Sequence, residues 1–97
     1  MKVIYHRLAA RDVRGILAYY EAESGSQLAK RFFADFLRTV AKALENPRHF
    51  TPAGEVMRRA NLDEFPYHFL YEERPWGIKV TVVRHHRRSP RYGASRQ

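Results

Sequence analysis

Hydrophobic and polar residues follow two different periods along this chain, and the change of period locates its elements. Val3, Ile4 and Tyr5 are β-branched or aromatic, and they give way to the charged, Ala-rich stretch His6 to Asp12, which predicts a short opening strand. Ala9, Val13, Ile16, Leu17 and Tyr20 then recur at spacings of three and four, one apolar stripe along a helix from about Leu8 to Glu23. Ser24-Gly25-Ser26 supplies a turn, and Ser24 with Gln27 has capping-box spacing, so a second helix is predicted to start at once. Its stripe is Leu28, Ala29, Phe32, Phe33, Phe36, Leu37, Val40 and Leu44, and Asn46-Pro47 ends it, because Pro excludes the residue before it from helical geometry. A link this short predicts an antiparallel helical hairpin.

The second half changes to period two. Glu55 to Leu62, Phe65 to Glu73 and Trp76 to His85 read as strands, the last with Ile78, Val80 and Val82 inward and Lys79 and Thr81 outward. Glu73 to Gly77 forms the tight connection between the last two, and Pro66, which has no N–H for a ladder, belongs at a strand start or on an edge. The stretch His49 to Gly54 reads as a loop. The predicted order is β-α-α-β-β-β, an α+β fold with the helical hairpin on one face of a mostly antiparallel twisted sheet. At 97 residues, with no repeat or linker, the whole chain from 1 to 97 is expected to be one domain.

Composition narrows the function classes. There is no Cys, which excludes a disulfide framework, a thiolate metal site and a cysteine nucleophile. No apolar run is long enough to cross a bilayer, and the N-terminus turns charged too early for a signal peptide, so a cytoplasmic protein without a membrane partner is expected. Charge is the outlier. The net charge is +8, Arg outnumbers Lys by 14 to 4, and Arg84 to Gln97 holds five Arg, two His and no acid. Arg forks onto phosphate and stacks on bases, and Tyr92 and the two histidines interleave with the arginines, so this segment is the expected binding surface for a polyanion.

Four motifs in order carry a family resemblance: A-x-x-D-V-x-x-I-x-x-Y-Y in Ala9 to Tyr20, A-x-x-F-x-x-x-F with the terminating N-P in Ala29 to Pro47, R-x-x-x-L-x-x-F-P-Y-x-x-x-Y from Arg58 to Tyr71, and V-x-V-V-x-H-x-R-R-x-P-x-Y from Val80 to Tyr92. Over almost its whole length the chain resembles the RelE/ParE toxins of bacterial type II toxin-antitoxin systems. The helices and the F-P-Y segment are more similar to the ParE-like branch, whose members poison DNA gyrase and are not known as nucleases. RelE-like members are ribosome-dependent endoribonucleases that cut mRNA without a metal. The resemblance implies growth arrest, plasmid stabilisation, a cognate antitoxin bound in a hetero-oligomer, and either gyrase or the ribosome and its mRNA as target.

Under the RelE-like alternative, His86, Tyr92 and Arg87 are the implied catalytic residues. Under either reading, Arg59, Arg84, Arg87, Arg88 and Arg91 are the expected contacts to nucleic acid or target. Other residues have plainer readings. Tyr67, Phe69 and Tyr71 share a strand face and read as core. Arg58 and Arg59 point to opposite faces, so at most one joins a site and the other is a surface charge or pairs with a helix acid. Asp12 is expected to pair with a neighbouring Arg. No cofactor and no metal is expected: His85 and His86 are adjacent on a strand and face apart, with no acid near them in sequence. A small RNA-binding module that is not toxic is the remaining alternative.

Overall fold

The element order follows the change of period. A computed structural model describes residues 1–97: β1 (Lys2–Tyr5), α1 (Arg7–Ser24), α2 (Ser26–Glu45), β2 (Thr51–Ala53), β3 (Met57–Asn61), β4 (Tyr67–Arg74) and β5 (Gly77–His85). The strands form one sheet in the order β1-β5-β4-β3-β2, antiparallel throughout except for β1, which runs parallel to β5. Val13 of α1 and Phe32, Phe36 and Val40 of α2 pack on Tyr67, Phe69 and Tyr71 of β4 and on Ile78, Val80 and Val83 of β5, all of them buried. Each such side chain contributes roughly 1.5–3 kcal/mol of apolar burial, which is what holds the hairpin to the sheet. No helix is long and apolar enough to cross a membrane.

Several expectations are corrected. The segment read as a loop contains β2, which pairs with β3 from Thr51 opposite Arg59 to Ala53 opposite Met57. Three residues with a central Pro carry no period of their own, and this strand exists only because β3 offers it a partner. Ser24 caps nothing: it is the last residue of α1, and the helices meet at Gly25, whose φ of 88° ends one and starts the other without a side-chain cap. The side-chain cap lies instead at the start of α1, where His6 Nδ1 accepts from the N–H of Leu8 at 3.1 Å. Two residues of the second stripe, Phe33 and Leu37, are exposed at 39% and 44%. The third and fourth turns of α2 therefore carry more apolar surface than the core absorbs.

The inward set of β5 also differs. Leu70 opposes Val82 but Tyr71 opposes Val80, so Thr81 is an extra residue, a β-bulge that reverses the alternation beyond it. Val83 thereby joins Ile78 and Val80 in the core, while Val82 turns to the other side and lies under the C-terminal segment. That crossing requires Gly93. Its φ is 77°, and a Cβ there would lie 2.6 Å from Cγ2 of Val82.

Candidate functional site

The bulge and the parallel pairing together leave β5 half covered. β1 pairs with Gly77 to Val80 only, and the N–H of His6 takes the carbonyl of Val80 at 2.9 Å. Beyond that point the edge of β5 has no strand beside it. Its polar groups are met by side chains instead: Asp12 Oδ2 accepts from the N–H of Val83 at 3.0 Å, and Arg96 Nη1 donates to the carbonyl of Thr81 at 3.1 Å. Arg96 Nη1 also donates to Asp12 Oδ2 at 2.6 Å, and the Tyr92 hydroxyl donates to Asp12 Oδ1 at 2.6 Å. An ion pair and a phenol thus close the edge of a sheet and fix the C-terminal segment across it. The expected pairing of Asp12 with a neighbouring Arg is corrected accordingly, since its partner lies 84 residues away.

Between α1 and this fixed segment lies a cleft of about 580 Å³. Arg11, Ile16 and Tyr19 line it from α1, and Arg84, His85 and Arg88 from the end of β5 and the segment after it. The Arg88 guanidinium stacks on the Tyr92 ring, 4.1 Å from its centre. Arg84 is anchored by backbone, with Nη1 donating to the carbonyls of Pro90 at 3.1 Å and Tyr92 at 2.9 Å.

A second network starts from the same arginine. Arg84 Nε donates to Nε2 of His68, which is buried in β4, at 2.9 Å, and His68 Nδ1 lies 2.9 Å from Nδ1 of His86. Because Nε2 of His68 accepts, its proton sits on Nδ1 and is given to His86, whose Nδ1 also receives a bond from Arg59 Nη2 at 3.2 Å. Both imidazoles are therefore neutral. Burial, then the charges of Arg59 and Arg84, lower His68 to about 4, and burial followed by Arg59 also lowers His86. No group of three or more His, Asp or Glu side chains is placed to hold a metal ion.

Comparison with known proteins fits this architecture. The family model for the ParE toxin of type II toxin-antitoxin systems, parDE, matches residues 3–90. The chain belongs to the ParE toxin family. Among solved structures, a chromosomal ParDE toxin-antitoxin system from P. aeruginosa is similar in fold, with a TM-score of 0.76 at 19% identity over 88% of this chain and 95% of that one. No curated protein matches the chain by sequence.

In this ParE-family chain the arginines and histidines expected to act together are divided. Arg84 and Arg88 line the cleft, as His85 does, and so does Arg11, which sequence reasoning passed over because it sits one turn into an unremarkable helix. His86 and Arg59 belong to the network around His68. Tyr92 is in the cleft but its hydroxyl donates to Asp12, whereas the His86 ring bonds to His68 and Arg59, so the phenol and the imidazole have no partner in common. Arg87 and Arg91 stand exposed in the turns after β5. Arg58, instead of pairing with a helix acid, donates to the backbone carbonyls of Arg48 at 3.3 Å and Phe50 at 2.7 Å and holds the approach to β2. Tyr67, Phe69 and Tyr71 are core as read, and the Tyr71 hydroxyl, pushed up to about 12 by burial, donates to the carbonyl of Pro47 at 2.6 Å.

The neutral His68 makes stability depend on pH. Its folded pKa lies below the value of about 6.5 for an unfolded histidine, so the unfolded chain binds the proton more tightly. The contribution is complete above pH 6.5 and is lost as pH falls through 4, a change of about 3 kcal/mol. The charges facing the ring are Arg59 from β3, Arg84 and His85 from β5, and His86 beyond it, all cationic or neutral, so no carboxylate offsets the effect. Denaturant midpoints measured between pH 7 and pH 4 should fall steeply, and His68→Gln should flatten that slope.

Proposed function

We propose that this ParE-family toxin arrests growth by binding and poisoning DNA gyrase, not by cutting RNA, and that a cognate antitoxin neutralises it. The observation that carries the first part is that the Tyr92 hydroxyl and the His86 ring are committed to different partners. A metal-free ribonuclease needs a base and an acid on either side of one phosphate. Here the phenol is committed to a carboxylate at the β5 edge, and Nδ1 of His86 is occupied by two donors on the other network. The chain therefore acts through its surface, as a stoichiometric poison does.

The antitoxin reading rests on a different surface. Ala10, Val13 and Leu17 of α1, Phe33, Phe36 and Leu37 of α2, and Tyr5 line an almost wholly apolar groove of about 320 Å³, in which Arg14 is the only charge. Exposed Phe33, Leu37 and Tyr5 form a continuous patch that suits an amphipathic helix carrying an acid opposite Arg14. Induction of the chain alone should stop growth with DNA breaks preceding any loss of protein synthesis, and the purified chain should inhibit gyrase supercoiling. Co-expression of a cognate antitoxin should restore growth, and Phe33→Asp with Leu37→Asp should abolish that rescue without removing toxicity. Specific cuts in ribosome-bound mRNA would overturn the gyrase reading in favour of the RelE-like one, and unimpaired growth at high levels of folded protein would overturn toxicity altogether.

A further inference from the structure

We infer that the cleft between α1 and the C-terminal segment is a binding site for single-stranded polynucleotide, taking a phosphate on Arg11 and Arg88 and an unpaired base against Tyr19. This goes beyond the gyrase reading and does not depend on it. Charge comes first. Arg11, Arg84 and Arg88 line the cleft without a carboxylate partner, while the other arginines that have one, Arg31, Arg38, Arg48 and Arg74, are paired with Glu64, Asp35, Glu73 and Glu72. The single acid of the cleft, Asp12, is already neutralised by Arg96 and saturated by Tyr92 and the Val83 N–H. The cations that remain are thus uncompensated and line an open cavity from both walls, Arg11 from α1 and Arg84 and Arg88 from the end of β5 and the segment after it.

Preorganisation is the second argument. Arg88 is flattened on the Tyr92 ring, and Arg84 is tethered to two carbonyls, so neither has to be ordered when an anion arrives. A fixed guanidinium pair facing a helix arginine across a cleft is suited to a phosphodiester. The third argument is the aromatic lining contributed by α1. Tyr19 is 57% exposed and turned edge-on to Tyr20, so a large aromatic surface lies open in the lining of the same cleft. Nothing in the core requires it there. Basic groove and exposed aromatic together are the pattern of single-strand binding, in which bases stack without being read. A cleft of about 580 Å³ has the volume of a small-molecule site and admits a nucleotide, whereas a duplex keeps its bases inside and could not present one to Tyr19.

The test uses the purified full chain and fluorescence anisotropy with a labelled twelve-nucleotide oligodeoxynucleotide and an oligoribonucleotide of the same sequence. Binding of either strand supports the site, and the comparison of the two arms shows which sugar it prefers. Tyr19→Ala should weaken binding about five-fold or more. Arg11→Ala with Arg88→Ala should lower the log-log salt slope by roughly 0.7, the value for one lost phosphate contact on a single strand. All three residues are at the surface, so thermal stability should stay near wild type, and Lys30→Ala with Arg31→Ala on α2 should leave binding unchanged. Three results would overturn the inference: binding that survives the triple change, equal binding of a blunt duplex, or displacement of the oligonucleotide by poly-glutamate at equal charge concentration.

Discussion

Asp35→Ala should destabilise the fold by about 3–5 kcal/mol, a large share of the 5–15 kcal/mol typical of a domain this size. Asp35 is fully buried on α2, and its carboxylate accepts three consecutive backbone N–H groups from the β3–β4 connection: Asp63 at 3.1 Å, Glu64 at 2.8 Å and Phe65 at 3.0 Å. Arg38 adds a longer bond at 3.4 Å. Alanine leaves all three amides without an acceptor. Those of Asp63 and Glu64 lie in exposed residues and can recruit water, but Phe65 is buried, and its N–H has no such recourse. Asp35→Asn separates acceptor loss from cavity formation, because it keeps the volume but replaces one accepting oxygen by an NH2 donor that must meet either the amide of Asp63 or those of Glu64 and Phe65. It should cost nearly as much as alanine. Urea denaturation reads both as a lower midpoint with an unchanged m-value, and a shift worth less than about 1 kcal/mol in either would show that the loop is held by Phe65 packing alone.

The same residue shows where sequence reasoning stops. The stripes of α1 and α2 and the alternation of β3 to β5 are local patterns, and the fold class follows from them because helices and strands each have one period to satisfy. Asp35 lies within the buried arc of α2, beside Phe32, Phe36 and Thr39, and the only hint in the sequence is an acid among apolar residues. Its partners are 28 to 30 positions away and are backbone groups, which carry no residue signature. The bulge at Thr81 is invisible for a related reason: a single extra residue alters parity without altering composition, so Val82 and Val83 cannot be told apart until β4 is laid beside them.

The candidate site was legible in its chemistry and not in its grouping. The run from Arg84 to Tyr92 announces a basic surface, but treating it as one exposed tail joined residues that the β5 edge separates. Arg84 is the point of division, since one guanidinium bonds to His68 on one side and to the carbonyls of Pro90 and Tyr92 on the other. The partner of the Tyr92 hydroxyl, Asp12, sits in a helix 80 residues earlier, and no motif joins the two. A periodicity argument places such an acid on the surface or beside the core. It cannot place it against a strand edge that the first strand is too short to cover.

That edge sets the second large effect. Asp12→Ala removes the acceptor of the Val83 N–H, of the Tyr92 hydroxyl and of Arg96 at once, and should cost about 3–5 kcal/mol, the range found when one member of a buried ion pair is deleted. The three orphaned groups are not equivalent. Arg96 and Tyr92 lie in the irregular segment after β5 and their side chains can turn out to solvent, whereas the Val83 N–H is fixed in β5 and cannot leave. The residual cost therefore falls on the strand edge. Arg96→Ala should be milder, about 1–3 kcal/mol, because the carboxylate it leaves behind keeps the amide and the phenol as donors. Amide hydrogen exchange makes the distinction residue by residue: in Asp12→Ala the Val83 amide should lose protection together with residues 88–97, and in Arg96→Ala Val83 should remain protected while residues 94–97 fray. If Arg96→Ala proves as costly as Asp12→Ala and exposes Val83 equally, the closing element is the cation on Thr81 and not the carboxylate on Val83. The expected order also bears on the cleft, since release of Tyr92 takes away the ring on which Arg88 lies, and oligonucleotide binding should weaken in Asp12→Ala more than in Arg96→Ala.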